Sequence, residues 1–120
     1  MVILNGRVEQ GCKHFQQRLS REAFRAAYLK ATGEQLHKGT LNVKVNGCIP
    51  VKEHFRIQGK DIGEPTQDLL FEICRVNQIW AYRIRPLDLY TGAGGHGDDT
   101  LEIGCSQEIT GTHVEVILFR

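Results

Sequence analysis

The residues best placed to do chemistry are Thr40 and Asn42, two positions apart in the run Gly39-Thr40-Leu41-Asn42-Val43-Lys44-Val45. On a β-strand, side chains at i and i+2 point to one face roughly 6.5 Å apart, so a hydroxyl and an amide oxygen share a direction. Two neutral oxygens arranged this way suit Mg²⁺, a hard cation that takes few protein ligands and completes its shell with water and phosphate oxygens. The same pair also suits the solvent face of a strand that follows a turn, and these residues alone leave both readings open. A second candidate is Gly11-Cys12-Lys13-His14. There backbone N–H groups and positive charge could cradle a phosphate, although one glycine is equally at home in a solvated loop. A third is the stretch from Thr91 to Asp99, with four glycines (Gly92, Gly94, Gly95 and Gly97). His96 with Asp98 and Asp99 has the residue types of a metal site, but near-adjacent positions in a flexible loop do not converge unaided, so a surface loop or lid is expected. The fourth is Glu102, which alternates with Leu101 and Ile103 and so faces either a barrel mouth or an exposed sheet surface.

These residues need a scaffold, and the hydrophobic pattern predicts one. Val2-Ile3-Leu4 and Arg7-Val8-Glu9 flank Asn5-Gly6, which reads as an opening strand kinked or bulged at the glycine. Ser20 suits a helix N-cap and Glu22 the first turn, where the helix dipole favours negative charge. Phe24, Ala27, Tyr28 and Ala31 then follow at the spacing of one buried helical stripe, and Gly33 suits the left-handed residue that ends a helix. Beyond it the pattern becomes short strands. In Thr40–Val45, Leu41, Val43 and Val45 share one face while Thr40, Asn42 and Lys44 share the other; the first set is expected to pack against Phe24, Ala27 and Tyr28. Asn46-Gly47 is a turn signal. Residues 58–68 read as a loop between strands. Leu69–Val76 reads as a buried strand, turned by Asn77-Gln78 into Ile79–Arg85, which Pro86 ends. Thr100–Gly104 and His113–Phe119 close the pattern. The expected fold is mainly β: a small closed barrel of about six strands with one peripheral α-helix, spanning residues 1–120 as a single domain.

Composition narrows the function. Fifteen Lys and Arg nearly cancel fourteen Asp and Glu, so the chain lacks the basic excess of a protein that grips nucleic acid, and a DNA-binding regulator is disfavoured. The four cysteines (Cys12, Cys48, Cys74 and Cys105) form no C-x-x-C pair, which argues against a zinc or redox motif and for reduced, mostly buried thiols. No apolar run approaches the ~18 residues of a membrane span, and Met1 leads directly into a strand, so a cytoplasmic protein with no membrane association is expected.

In order along the chain, Gly6-Arg7-Val8-Glu9-Gln10-Gly11, the helix ending at Gly33, Gly39-Thr40-Leu41-Asn42-Val43-Lys44-Val45, Ala81-Tyr82-Arg83-Ile84-Arg85-Pro86, Leu101-Glu102-Ile103 and Gly111-Thr112-His113-Val114-Glu115-Val116 resemble the archaeal CTP-dependent riboflavin kinase family. That family opens on G-x-V-x-x-G and carries a helix, a G-T-L-N strand, a strand ending in proline and an E-I-I strand. The resemblance implies a cradle-loop barrel that transfers the γ-phosphoryl group of CTP to the 5′-hydroxyl of riboflavin, giving FMN. It implies Mg²⁺ held by Thr40 and Asn42, and nucleotide bound by the loop Gly11, Cys12, Lys13 and His14. Flavin would be held by Glu102 and by Thr91, which lies near a family threonine position. Where the family continues G-x-G-x-G, Cys12, Lys13, His14 and Phe15 follow Gly11. The family segment that contacts cytosine is shortened here to Ser106-Gln107-Glu108-Ile109. A non-catalytic barrel that binds a small molecule or a protein partner is the alternative.

Overall fold

In a computed structural model of the chain, the structure describes residues 1–9, 22–37, 39–63, 68–87 and 97–120. The elements are β1 (Val2–Glu9), α1 (Glu22–Thr32), β2 (Leu41–Val45), β3 (Phe55–Ile57), a 3₁₀ turn (Gly59–Ile62), β4 (Leu69–Val76), β5 (Ile79–Pro86), β6 (Thr100–Gly104) and β7 (His113–Leu118). All pairings are antiparallel. The strands run β4-β5-β6-β2-β1-β7 and close through a β4–β7 pairing, while β3 adds to β4 outside the ring. The protein is therefore a closed six-stranded antiparallel β-barrel with one extra strand and, among the described residues, a single α-helix. No described helix is long and apolar enough to cross a membrane.

Period-two alternation fills the barrel. Val43 and Val45 of β2, Cys74 and Val76 of β4, Leu101 and Ile103 of β6, and Val114, Val116 and Leu118 of β7 form one buried cluster, with Val2, Leu4 and Val8 of β1 packed against it. Gly6 faces inward among them. Its registers to Val45 and Val114 are unbroken, so no kink interrupts the strand. A Cβ there would lie 2.3 Å from Val43 Cγ1, and the glycine is needed for close approach between β1 and β2. The β4–β5 hairpin turns at Asn77-Gln78 as expected, both residues having positive φ (49° and 69°), the backbone of the tight turn whose twist matches paired strands. The Asn77 side-chain oxygen accepts the Glu115 N–H at 2.9 Å, tying the turn to β7.

The helix covers the outside of the sheet. Phe24 and Tyr28 are buried with Leu36, Ile57, Ile62, Leu69, Phe71 and Ile84, and Ala27 packs partly against them. This corrects two expectations. The helix does not pack on Leu41, Val43 and Val45, which belong to the barrel interior, and Ala31 is exposed. Alternation tells which residues share a face but not what covers that face. The expected loop at 58–68 also contains a 3₁₀ turn whose Ile62 is 2% exposed and belongs to the helix-side core. Gly33 does end the helix, with φ 76° and its N–H donating to Leu29 O at 2.8 Å. Ser20 lies outside the described residues.

Candidate functional site

Thr40 immediately precedes β2, and Asn42 is that strand's second residue. Strand pairing places Asn42 directly opposite Glu102 of β6 on one side and Glu9 of β1 on the other. Residues paired across neighbouring strands share a face, so Glu9, Asn42 and Glu102 form a polar row on the side of the sheet away from the barrel interior. Thr40, two residues from Asn42, joins this row: its hydroxyl donates to Glu102 Oε2 at 3.0 Å. Glu102 thus turns away from Leu101 and Ile103, as their alternation requires. It lies neither at a barrel mouth nor on an exposed sheet face, since only 3% of it is exposed, and Asn42 is equally hidden at 2%.

A buried carboxyl group is costly to ionise. Burial pushes the Glu102 acid up to about 7, while the Thr40 hydrogen bond and the Arg85 guanidinium pull the other way without overcoming it. Thr40, Asn42 and Glu102 therefore present hydroxyl, amide and carboxyl oxygens close together. All three are hard donors, the set preferred by a small cation that keeps much of its water. Among the described residues no group of three or more His, Cys, Asp and Glu could hold a metal. A site here would thus rest on these mixed oxygens, completed by a ligand's own phosphates.

Thr40 also lines a cleft of about 170 Å³ together with His37, Gly39, Leu41, Ile103, Cys105 and the segment from Gln107 to Ile109. No sequence pattern marks His37 or Cys105 as neighbours of this site. The His37 N–H donates to Cys105 O at 2.8 Å, and this bond carries the imidazole to the cleft wall. The Cys105 thiol donates to Gln107 O at 2.8 Å, and burial raises it above its ordinary titration range. His37 lies in the segment before β2 and Cys105 just after β6, and the backbone bond between these two segments, not a strand repeat, brings them beside Thr40.

The other sequence candidates fare differently. Gly11, Cys12, Lys13, His14, Thr91 and His96 lie outside the described residues. Asp98 and Asp99 do not converge as a metal pair. Asp98 forms an ion pair with Arg85, Oδ1 to Nε 2.9 Å, with Arg83 Nη2 at 3.7 Å, and Asp99 is bound by Lys44 Nζ, which holds its carboxyl below the usual range. Backbone bonds from Val45 N to Asp99 O and from Ile49 N to Asp98 O fix these two residues against β2 and the segment that follows it. The end of the glycine-rich stretch is therefore anchored beside the barrel.

The class defined by this geometry is a closed six-stranded barrel with a buried oxygen cluster on its outer face. No protein-family model and no curated protein matches the chain.

Proposed function

We propose that the chain is a riboflavin-kinase-like phosphotransferase, moving the γ-phosphoryl group of CTP to riboflavin with Mg²⁺ at Thr40 and Asn42. The supporting observation is the convergence of Thr40, Asn42 and Glu102: two residues spaced for one strand face meet a buried carboxyl from another strand. Phosphoryl transfer asks a protein mainly for positioning and charge neutralisation. When bound, Mg²⁺ supplies neutralisation of the phosphate oxygens. Thr40 and Asn42 offer the neutral oxygens that would hold the ion. Glu102, joined to Thr40 by its hydrogen bond, orients that hydroxyl and offers an acceptor to a flavin hydroxyl or ring N–H. The loop from Gly11 to His14 and Thr91 are assigned to nucleotide and flavin on the resemblance alone.

A second reading, a non-catalytic barrel that binds a small molecule or a protein, is favoured by one observation. The Thr40 hydroxyl is already engaged with Glu102, in a pairing that can serve structure alone. One experiment separates the two. Wild-type protein is incubated with riboflavin, Mg²⁺ and each of the four nucleoside triphosphates, and FMN is sought by fluorescence-detected chromatography. FMN is expected with CTP and not in the presence of EDTA. Absence of FMN with every donor overturns the kinase reading and leaves the binding barrel.

A further inference from the structure

The barrel's outer surface where β5, β4, β7 and β1 adjoin is apolar. Trp80, Arg75, Ile117 and Ile3 form one row across these strands, each the register partner of the next. Beside this row Ile73 lies opposite Tyr82, and Phe119 packs on Trp80 with ring centroids 5.3 Å apart. Ile3 is 57% exposed, Trp80 55% and Ile73 37%. Single exposed apolar side chains are ordinary, but a contiguous band of them marks an interaction surface.

The band contains a cation and an anion. Arg75 places its guanidinium 5.1 Å from the centre of the Trp80 ring. Glu115, two residues from Ile117 and so on the same face, is exposed. Among the described residues neither takes part in an ion pair.

We propose that this face pairs with the same face of a second copy of the chain, forming a two-fold dimer. A two-fold interface sets one patch against itself, so that residue i of one copy meets j of the other and j meets i. A band with one cation and one anion close together is complementary to itself under that operation. Arg75 of each copy meets Glu115 of the other, while Trp80, Ile117 and Ile3 close the dry centre. Aromatic and arginine anchors are the residues that most often dominate such centres. A membrane surface would be matched by cations alone around the band, and a strongly charged partner would satisfy only one member of the pair.

Sedimentation equilibrium on the full chain provides the test. Wild type is expected to dimerise reversibly, and Trp80→Glu to be monomeric while keeping the wild-type circular dichroism, since Trp80 lies outside both cores. Arg75→Glu and Glu115→Arg should each raise the dimer Kd on the order of tenfold, and combining them should restore it. A wild-type monomer at ~0.3 mM overturns the proposal, as that concentration would populate any dimer tighter than millimolar. So does a Trp80→Glu variant that still dimerises, or a charge swap that fails to restore association. Cosedimentation of a monomeric wild type with anionic phosphatidylserine vesicles would transfer the surface to membrane binding.

Discussion

Glu102→Gln is expected to leave stability unchanged at pH 4 and to raise it by about 3 kcal/mol at pH 8, measured in EDTA by urea unfolding. The sign follows from burial. The Glu102 acid is raised from an ordinary 4.5 to about 7 in the folded protein, with burial the largest cause. Below pH 4.5 the group is protonated in both states and its favourable, neutral interaction with Thr40 is fully present. As pH rises from 4.5 towards 7 the unfolded chain gives up that proton while the folded chain keeps it, so wild-type stability declines across this window and levels off above about 7. Glutamine stays neutral and keeps an oxygen to accept from the Thr40 hydroxyl. Parallel pH profiles for the two proteins would mean that Glu102 titrates alike in the folded and unfolded chains, and would contradict the raised acid.

The second large effect lies inside the barrel. Glu72 and Arg83 are fully buried, 3.6 Å apart at Oε1 and Nη1. Glu72 also accepts Arg120 Nε and Nη2 at 2.8 and 2.9 Å and the Lys52 N–H at 3.1 Å. Removing one member of such a set strands buried charge and donors, so Glu72→Ala is expected to cost about 3–5 kcal/mol in denaturant unfolding. Replacing Glu72 and Arg83 together by methionine should cost less, because the fully buried Arg83 goes with its carboxylate and the Arg120 left behind is partly open to solvent. A single-variant loss under about 1 kcal/mol would place the stabilising weight elsewhere.

This ion-pair cluster explains where the sequence stopped being legible. The alternation of Trp80, Tyr82 and Ile84 with Ala81, Arg83 and Arg85 is plain, but alternation does not say which set faces inward. Ordinary hydropathy would put the tryptophan inside and the arginines outside. The barrel does the reverse: Arg83 is fully buried and Arg85 nearly so, while Trp80 is largely exposed. Glu72, the register partner of Arg83 across the β4–β5 hairpin, and Asp98, from a loop end, make this possible. The hairpin pairs Glu72 with Arg83 but does not say which face is inside, and no local pattern connects Asp98 with β5. Strand positions were legible, by contrast, because turn chemistry punctuates them locally, as at Asn77-Gln78 and at Asn46-Gly47, where Gly47 has φ 101°. The three-residue β3 left no such mark and was missed. At the candidate site, the spacing of Thr40 and Asn42 gave their common direction. The cross-strand register, Asn42 opposite Glu102, became visible only in the fold and turned two residues and a separate acid into one cluster.

That cluster as a Mg²⁺–phosphate site is the central claim, and a thermal-shift comparison tests it most directly. Melting temperatures of wild type and Asn42→Ala are measured with CTP, with Mg²⁺, with both and with riboflavin, each change taken relative to the same protein without ligand. A ligand at a hundred times its Kd adds about 2.7 kcal/mol of stability, which is readily seen as a shift in Tm. Wild type is expected to gain more from Mg²⁺ and CTP together than from either alone, and Asn42→Ala to lose that joint increment while still responding to riboflavin. An equal joint increment in Asn42→Ala, or none in wild type, would contradict the site.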